Sequence, residues 1–365
     1  MHKPAYLVLE DGSVHEGIGF GAEADGLGEV VFNTSMTGYQ EVLTDPSYAG
    51  QIVTLTYPLV GNYGINPQDY ESARIQVGGL IVREQCELPS HGRSEQTLHE
   101  FLASQGIPGI SDVDTRAITR RLRSQGVMLG VITTGDPDAA LRRLHDSPAY
   151  GDRDYVATVT TAENYDWETN GEDDVDYKHR ILVTDCGLKY NILRQLRRRG
   201  CQVTVVPAAT PAEQLLAMKP SGIMFSPGPG DPEQLDYVVE NTKKILGHLP
   251  VMGICLGQQV VARALGATTF KLKFGHRGGN HPVKDLSDGR VYITAQNHGY
   301  AVSPEKLPSG LEVSHINLND QTVEGLRHKD MPLFTIQYHS EASPGPKDNE
   351  YMFDQFIAMV EDFWG

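Results

Sequence analysis

The stretch VMGICLGQQVVARAL, residues 251–265, decides how this chain folds. Val251–Ile254 reads as a short buried strand, and Gln258–Leu265 reads as a helix closed by Gly266. Between them, Gly253-Ile254-Cys255-Leu256-Gly257 has the GxCxG spacing of a strand-to-helix elbow that carries a thiol. A turn that thrusts one side chain outward strains that residue's backbone and crowds the positions two before and two after it, where only glycine leaves room. The same turn sets the sulfur at a helix N-terminus, where free N–H groups and the helix dipole favour a thiolate.

Outward from the elbow, strands alternate with helices. Arg180–Thr184, Gln202–Val206 and Gly222–Phe225 read as strands, and Asn191–Arg199, Pro211–Met218 and Pro232–Leu246 as helices between them. Short connections of this kind predict an α/β domain built on a doubly wound, mostly parallel sheet, with its chemistry at the carboxyl ends of the strands. This domain is expected over residues 179–365. Residues 151–178 are expected to be an acidic linker, because Glu163–Asp176 holds seven carboxylates and no Lys or Arg. Residues 1–150 mix strand-like runs (Tyr6–Leu9, Glu29–Phe32, Gln51–Tyr57, Gly79–Val82) with two helical segments, Ser94–Gln105 and Asp114–Gln125, which predicts a smaller α+β domain.

A nucleophile needs a base, and the base needs orienting. Leu333–Tyr338 reads as a strand with His339-Ser340-Glu341 at its end. Side chains at i and i+2 of an extended chain share a face, so Glu341 can fix the imidazole of His339. His298 is the rival base, without an acidic neighbour in the sequence. The loop Ser226–Pro232 follows a strand, and Gly228 and Gly230 bare N–H groups there; with the N–H of Leu256 they form a candidate oxyanion hole. Full ionisation of an ordinary thiol gains only about tenfold to thirtyfold at neutral pH, whereas one oxyanion donor is worth ~10²–10³. The pattern points to acyl transfer through a thioester.

Composition narrows the field. The 365 residues carry 31 Lys and Arg against 47 Asp and Glu, a net charge of −16 that disfavours nucleic acid and anionic membrane surfaces as partners. No apolar run approaches the ~18–20 residues of a spanning helix, and the first residues lack the features of a signal peptide. The four cysteines form no CxxC pair, which fits free thiols and a cytoplasmic protein. Gly17–Ala22 fits GxGxxA without the helix a dinucleotide site needs, and no GxxxxGK[ST] is present. The glycine-rich run Gly275–His281 has two His and no Asp, Glu or Cys beside it, so it is expected to be a turn and not a metal site.

These motifs carry a resemblance. GICLGQQ with the downstream His339-x-Glu341 resembles the triad-type, class I glutamine amidotransferase domain. FNTSMTGYQEVLTDPSYAGQIVTLTYPLVGNYG and DVDTRAITRRLR resemble the N-terminal domain of the small subunit of carbamoyl-phosphate synthetase, and DCGLKYNI, SPGPGDP, KFGHRGGNHPV, TAQNHGYAV and EASPGP resemble the rest of that subunit. The resemblance implies Cys255 as nucleophile, His339 as general base and later acid, and Glu341 as its orienter. It implies a glutamine site formed by Ser47, Gly228, Gly230, Leu256, Gln259, Asn297, Gly299 and Tyr300. It also implies a large synthetase subunit as partner, in a heterodimer or higher oligomer, with ATP and Mg on that subunit, no cofactor or metal in this chain, and arginine and pyrimidine synthesis as the pathways served. The family usually reads His-Pro-Glu, whereas this chain has Ser340, which loosens the placement of the base. GHQ is common where this chain has Gly257-Gln258-Gln259, and Tyr300 stands where an aromatic is expected. Two other readings share the same residues: an interaction subunit whose amidase has lapsed, and a glutaminase for a different synthase, against which the N-terminal motifs argue.

Overall fold

The computed structural model describes residues 3–167, 177–305 and 307–365. The chain divides into two compact units, Met1–Arg153 and Asp154–Gly365.

In the N-terminal unit, the apolar faces of seven strands close on one another in a barrel. Lys3–Leu9 and Val14–Gly21 form an antiparallel pair, Gly26–Asn33 runs parallel to Gln51–Leu55, and Met128–Thr133 pairs with both Lys3–Leu9 and Gly26–Asn33 to close the ring. Helices pack outside, and their ends follow capping chemistry. Thr97 and Glu100 form a capping box ahead of Leu98–Ser104, and the Asp114 side chain accepts from the N–H of Ala117 at the start of Thr115–Gln125. Barrel closure goes beyond the α+β mixture read from local pattern, because each strand finds partners far away in sequence.

The C-terminal unit is built on a ten-stranded sheet. Its centre is parallel: Cys201–Pro207, His179–Asp185, Gly222–Phe225, Val251–Ile254 and Leu333–Ile336 lie side by side in that order. These strands are buried on both faces, as their near-continuous apolar sequences require. One core layer packs Leu256, Val260 and Val261 of the helix Leu256–Ala264 against Ile223, Phe225 and Val251; the other holds Ile181, Met252 and Ile336 under the C-terminal helix Tyr351–Trp364. Beyond Leu333–Ile336 the sheet continues antiparallel through Val323–His328, Leu311–Asn317, the long bent strand Thr269–Asp285 and Val291–Val302. This extension falls where the sequence stops alternating strand with helix.

The segment 151–178 is not a bare connector where it is described. Val156 lies in a core layer, Tyr165–Asp166 adds an antiparallel strand to Cys201–Pro207, and the Trp167 ring packs 4.8 Å from Tyr190. These apolar residues tie the segment to the C-terminal unit despite its expected role as an acidic linker; residues 168–176, which hold most of the carboxylates, lie outside the described residues. Among the described residues no helix is long and apolar enough to cross a membrane.

Candidate active site

Cys255 ends the strand Val251–Ile254 and caps the helix that follows, with φ of 55° and ψ of −106°. Its backbone is held there by its N–H, which donates to the Ile336 carbonyl at 2.8 Å. A Cβ on Gly253 would stand 2.7 Å from the backbone of Gly257, and one on Gly257 would stand 2.2 Å from the carbonyl oxygen of Phe225. Both glycines are therefore demanded by close approach. The Cys255 Sγ lies 3.5 Å from the Asn297 carbonyl.

His339 follows the neighbouring strand. Its N–H donates to the Ala295 carbonyl at 2.9 Å, which clips it to the strand carrying Asn297, Gly299 and Tyr300. Its Nδ1 is 2.6 Å from Glu341 Oε1, so Nδ1 carries a proton, while the buried Nε2 makes no hydrogen bond among the described residues. Burial disfavours charge on the ring, but the Glu341 carboxylate and the Cys255 sulfur outweigh it and hold its pKa up at about 10. Glu341 is wholly buried, which would raise its carboxyl; Lys189 and His339 overcome that and bring it down to about 2. Ser340, where the resemblance leads to an expectation of proline, is also wholly buried, and its Oγ has no hydrogen-bond partner among the described residues.

Lys189 is the residue that sequence reasoning missed. It lies in the loop after His179–Asp185, only 2% of its side chain is exposed, and its Nζ sits 3.0 Å from Glu341 Oε1 and 2.6 Å from the Ala342 carbonyl. Asn191 donates to the Glu341 carbonyl from the same loop-to-helix junction. Buried carboxylates persist where a cation and donors surround them. The motif DCGLKYNI contains Lys189, yet nothing in its residue types links position 189 to position 341.

The SPGPG loop packs beside the elbow. Ser226 Oγ accepts from the N–H of Cys186 at 2.9 Å, and a Cβ on Gly228 would meet the Cys186 carbonyl at 2.1 Å and the Leu256 side chain at 2.7 Å. Gly230 adopts φ of 90°. Gln259 Nε2 donates to the Tyr300 carbonyl at 2.8 Å and to Gln337 Oε1 at 3.1 Å, so it braces the wall that holds Tyr300. The C-terminal unit thus brings together Cys255, His339, Glu341, Gly228, Leu256, Gln259, Asn297 and Tyr300, with Gly299 next to Tyr300 on the same strand. Ser47 belongs to the N-terminal unit; it sits in the short helix Pro46–Tyr48, its N–H donates to Asp45 Oδ1, and its buried Oγ has no partner. The other cysteines are different in kind. Burial pushes the Cys186 thiol far up and the Cys201 thiol up to about 12, while Cys86 is part-buried in the N-terminal unit.

The Gly275–His281 run differs from its expected role as a simple turn. It lies within the bent strand Thr269–Asp285, and His276 Nε2 is 2.8 Å from Asp320 Oδ2 while its Nδ1 is 3.7 Å from Glu324 Oε1. His298, read as lacking an acidic neighbour, shares this cluster: ligand atoms of His276, His298 and Glu324 lie within 4.8 Å of one another. The carboxylates arrive from the Leu311–Asn317 and Val323–His328 hairpin, over 40 positions along from His276, beyond the reach of any local sequence pattern.

Residues 182–359 match the model of the class-I glutamine amidotransferase domain, and the elbow, base and sheet define that class of protein. Residues 7–132 match the carbamoyl-phosphate synthase small chain, CPSase domain. The chain belongs to the carbamoyl-phosphate synthase small chain family. It is 50% identical over 368 residues to the carbamoyl phosphate synthase small chain of Syntrophotalea carbinolica, covering 98% of each. It is 51% identical to that of Staphylococcus epidermidis, covering 100% of this chain and 98% of the relative. It is 52% identical to the pyrimidine-specific small chain of Bacillus subtilis, covering 97% of this chain and 95% of the relative.

Proposed function

We propose that Cys255, His339 and Glu341 hydrolyse glutamine and that the ammonia is consumed by a large synthetase subunit. The observation that carries this reading is the sulfur on a positive-φ elbow, close enough to an imidazole for its charge to raise that ring's pKa, with the ring fixed by a wholly buried carboxylate. The sulfur attacks the side-chain amide carbon of glutamine, and the oxyanion draws on N–H groups of Leu256 and the Gly228–Gly230 loop. The C–N bond breaks as His339 gives its proton to the leaving nitrogen, so ammonia departs and a glutamyl thioester remains. Water then attacks the thioester, His339 takes its proton, and glutamate leaves with the thiolate restored. Asn297, Gly299, Tyr300 and Gln259 are assigned to glutamine binding on their positions around Cys255 and the family motif; Ser47 is assigned on the motif alone.

Membership of a small-chain family supports a large-subunit partner, in a heterodimer or higher assembly. ATP and Mg belong, on this reading, to that subunit, which makes carbamoyl phosphate from bicarbonate in the cytoplasm for arginine and pyrimidine synthesis. Cys255→Ser tests it. Glutamine-dependent synthesis by the complex should vanish while ammonia-dependent synthesis continues, and a glutamine-analogue chloroketone should label Cys255 alone. Loss of both activities, or label on Cys86, Cys186 or Cys201, overturns the assignment.

A further inference from the structure

Behind Asn297 and Tyr300 runs a chain of buried polar side chains that the reaction above does not use. His276 and His298 oppose each other across paired strands, their rings 4.9 Å apart and edge to face. Glu324 is wholly buried between the Nδ1 side of His276 and two amides: Asn317 Nδ2 donates to its Oε1 at 2.8 Å and Gln296 Nε2 to its Oε2 at 2.9 Å. Gln296 Oε1 lies 2.9 Å from His298 Nε2 and the Tyr300 carbonyl 2.8 Å from its Nδ1; burial keeps this ring neutral, so its single N–H donates to one of the two oxygens. The Tyr300 carbonyl accepts from Gln259, whose amide reaches Gln337, two residues ahead of His339. Apart from the Tyr300 carbonyl these links are side chains in a low-dielectric interior, and the first of them, His276 Nδ1 to Glu324, is an ion pair at 3.7 Å and not a hydrogen bond; a broken link there leaves a buried polar group unmatched.

We propose that His276 is a positioning residue for glutamine binding: through Glu324, Gln296 and His298 it holds the Asn297–Tyr300 segment against the nucleophile helix. The proposal rests on the reading of that segment as the glutamine pocket. His276 supplies the cation that a wholly buried Glu324 calls for. The groups facing the ring are Asp320 and Glu324, which favour its charge, and the rings of His281 and His298. Burial opposes the charge, the two carboxylates prevail, and the ring sits up at about 9, so it is cationic at neutral pH.

The test uses the assembled complex and measures glutamate release for wild type, Cys255→Ser, His276→Gln, Glu324→Gln and the double variant. His276→Gln should raise KM for glutamine about tenfold with kcat within about threefold, because the loss falls on binding geometry and not on the reacting atoms. The double variant removes cation and anion together and should return KM to within about threefold of wild type, a coupling that a simple packing role does not produce. Ammonia-dependent synthesis should be unchanged in both. If His276→Gln does not fold, Asp320→Asn, on a part-exposed turn, should raise KM about threefold. An unchanged KM in His276→Gln and Asp320→Asn, a double variant no better than the single, or stoichiometric zinc in the purified wild type that is lost in His276→Gln each overturns the proposal. In those cases Cys255→Ser is still inactive, whereas a fully active Cys255→Ser overturns the glutaminase reading and this proposal with it.

Discussion

Lys189 Nζ stands 3.0 Å from the same Glu341 oxygen that meets His339 Nδ1 at 2.6 Å, so one carboxylate oxygen is shared between a buried ammonium and the imidazole. The lysine reaches that point from a loop 152 positions earlier and keeps the wholly buried Glu341 an anion. It thereby fixes the charge that fixes the ring.

Lys189→Met should therefore be costly. Removing one partner of a buried ion pair leaves the other uncompensated, and the expected loss is about 3–5 kcal/mol. Denaturant unfolding of the full chain should show the transition of the C-terminal unit moving to lower denaturant, with glutamate release falling in parallel. A transition at the wild-type midpoint would mean the pair contributes nothing.

Glu341→Gln keeps an oxygen for the Nδ1 proton and removes the negative charge. With Glu341 present the ring holds its proton up to about pH 10. Without the anion the proton leaves at lower pH, so the alkaline limb of glutamate release should shift down by about one to two pH units. The rate at neutral pH should drop about tenfold to a hundredfold. A pH–rate profile with an unmoved alkaline limb would show that another group sets it.

Gly257→Ala places a methyl group 2.2 Å from the Phe225 carbonyl, a backbone atom that cannot step aside alone. The expected destabilisation is about 1–3 kcal/mol, and the chloroketone should label Cys255 more slowly because the elbow has shifted. Equal stability and equal labelling would show that the elbow tolerates a side chain there.

The His276 cluster gives stability a pH signature. Burial opposes the charge, Asp320 and Glu324 support it, and the folded pKa of about 9 lies above the ordinary 6.5. Its contribution is thus complete below about pH 6.5 and disappears as pH rises through about 9, amounting to at most ~3 kcal/mol. Unfolding at about pH 6 and about pH 9.5 should show a larger loss of stability in wild type than in the His276→Gln, Glu324→Gln double variant. Equal losses would refute the linkage.

What the sequence disclosed follows the reach of its patterns. The elbow was legible because strand, glycines and helix all fall within Val251–Leu265, and the closeness of His339 to Glu341 needed only the two-residue period of an extended chain. Lys189 was not legible, since a lysine between Leu188 and Tyr190 looks like any loop lysine until the fold carries Glu341 over it. Asp320 and Glu324 stayed hidden from His276 for the same reason. The parallel centre announced itself by alternation of strand and helix, whereas barrel closure in Met1–Arg153 depends on pairings such as Tyr6 with Thr133 that no local window contains. Ser47 and Asn297 came only from family motifs.

The hydrogen bond from the His339 N–H to the Ala295 carbonyl makes the proposed base and the proposed glutamine wall two ends of one lever. Rebuilding Gln296–Tyr300 to admit a bulkier amide would drag the imidazole out of line with the sulfur. Broader substrate scope in this scaffold is therefore to be sought away from the Gln296–Tyr300 strand, whose position is tied to the imidazole through Ala295.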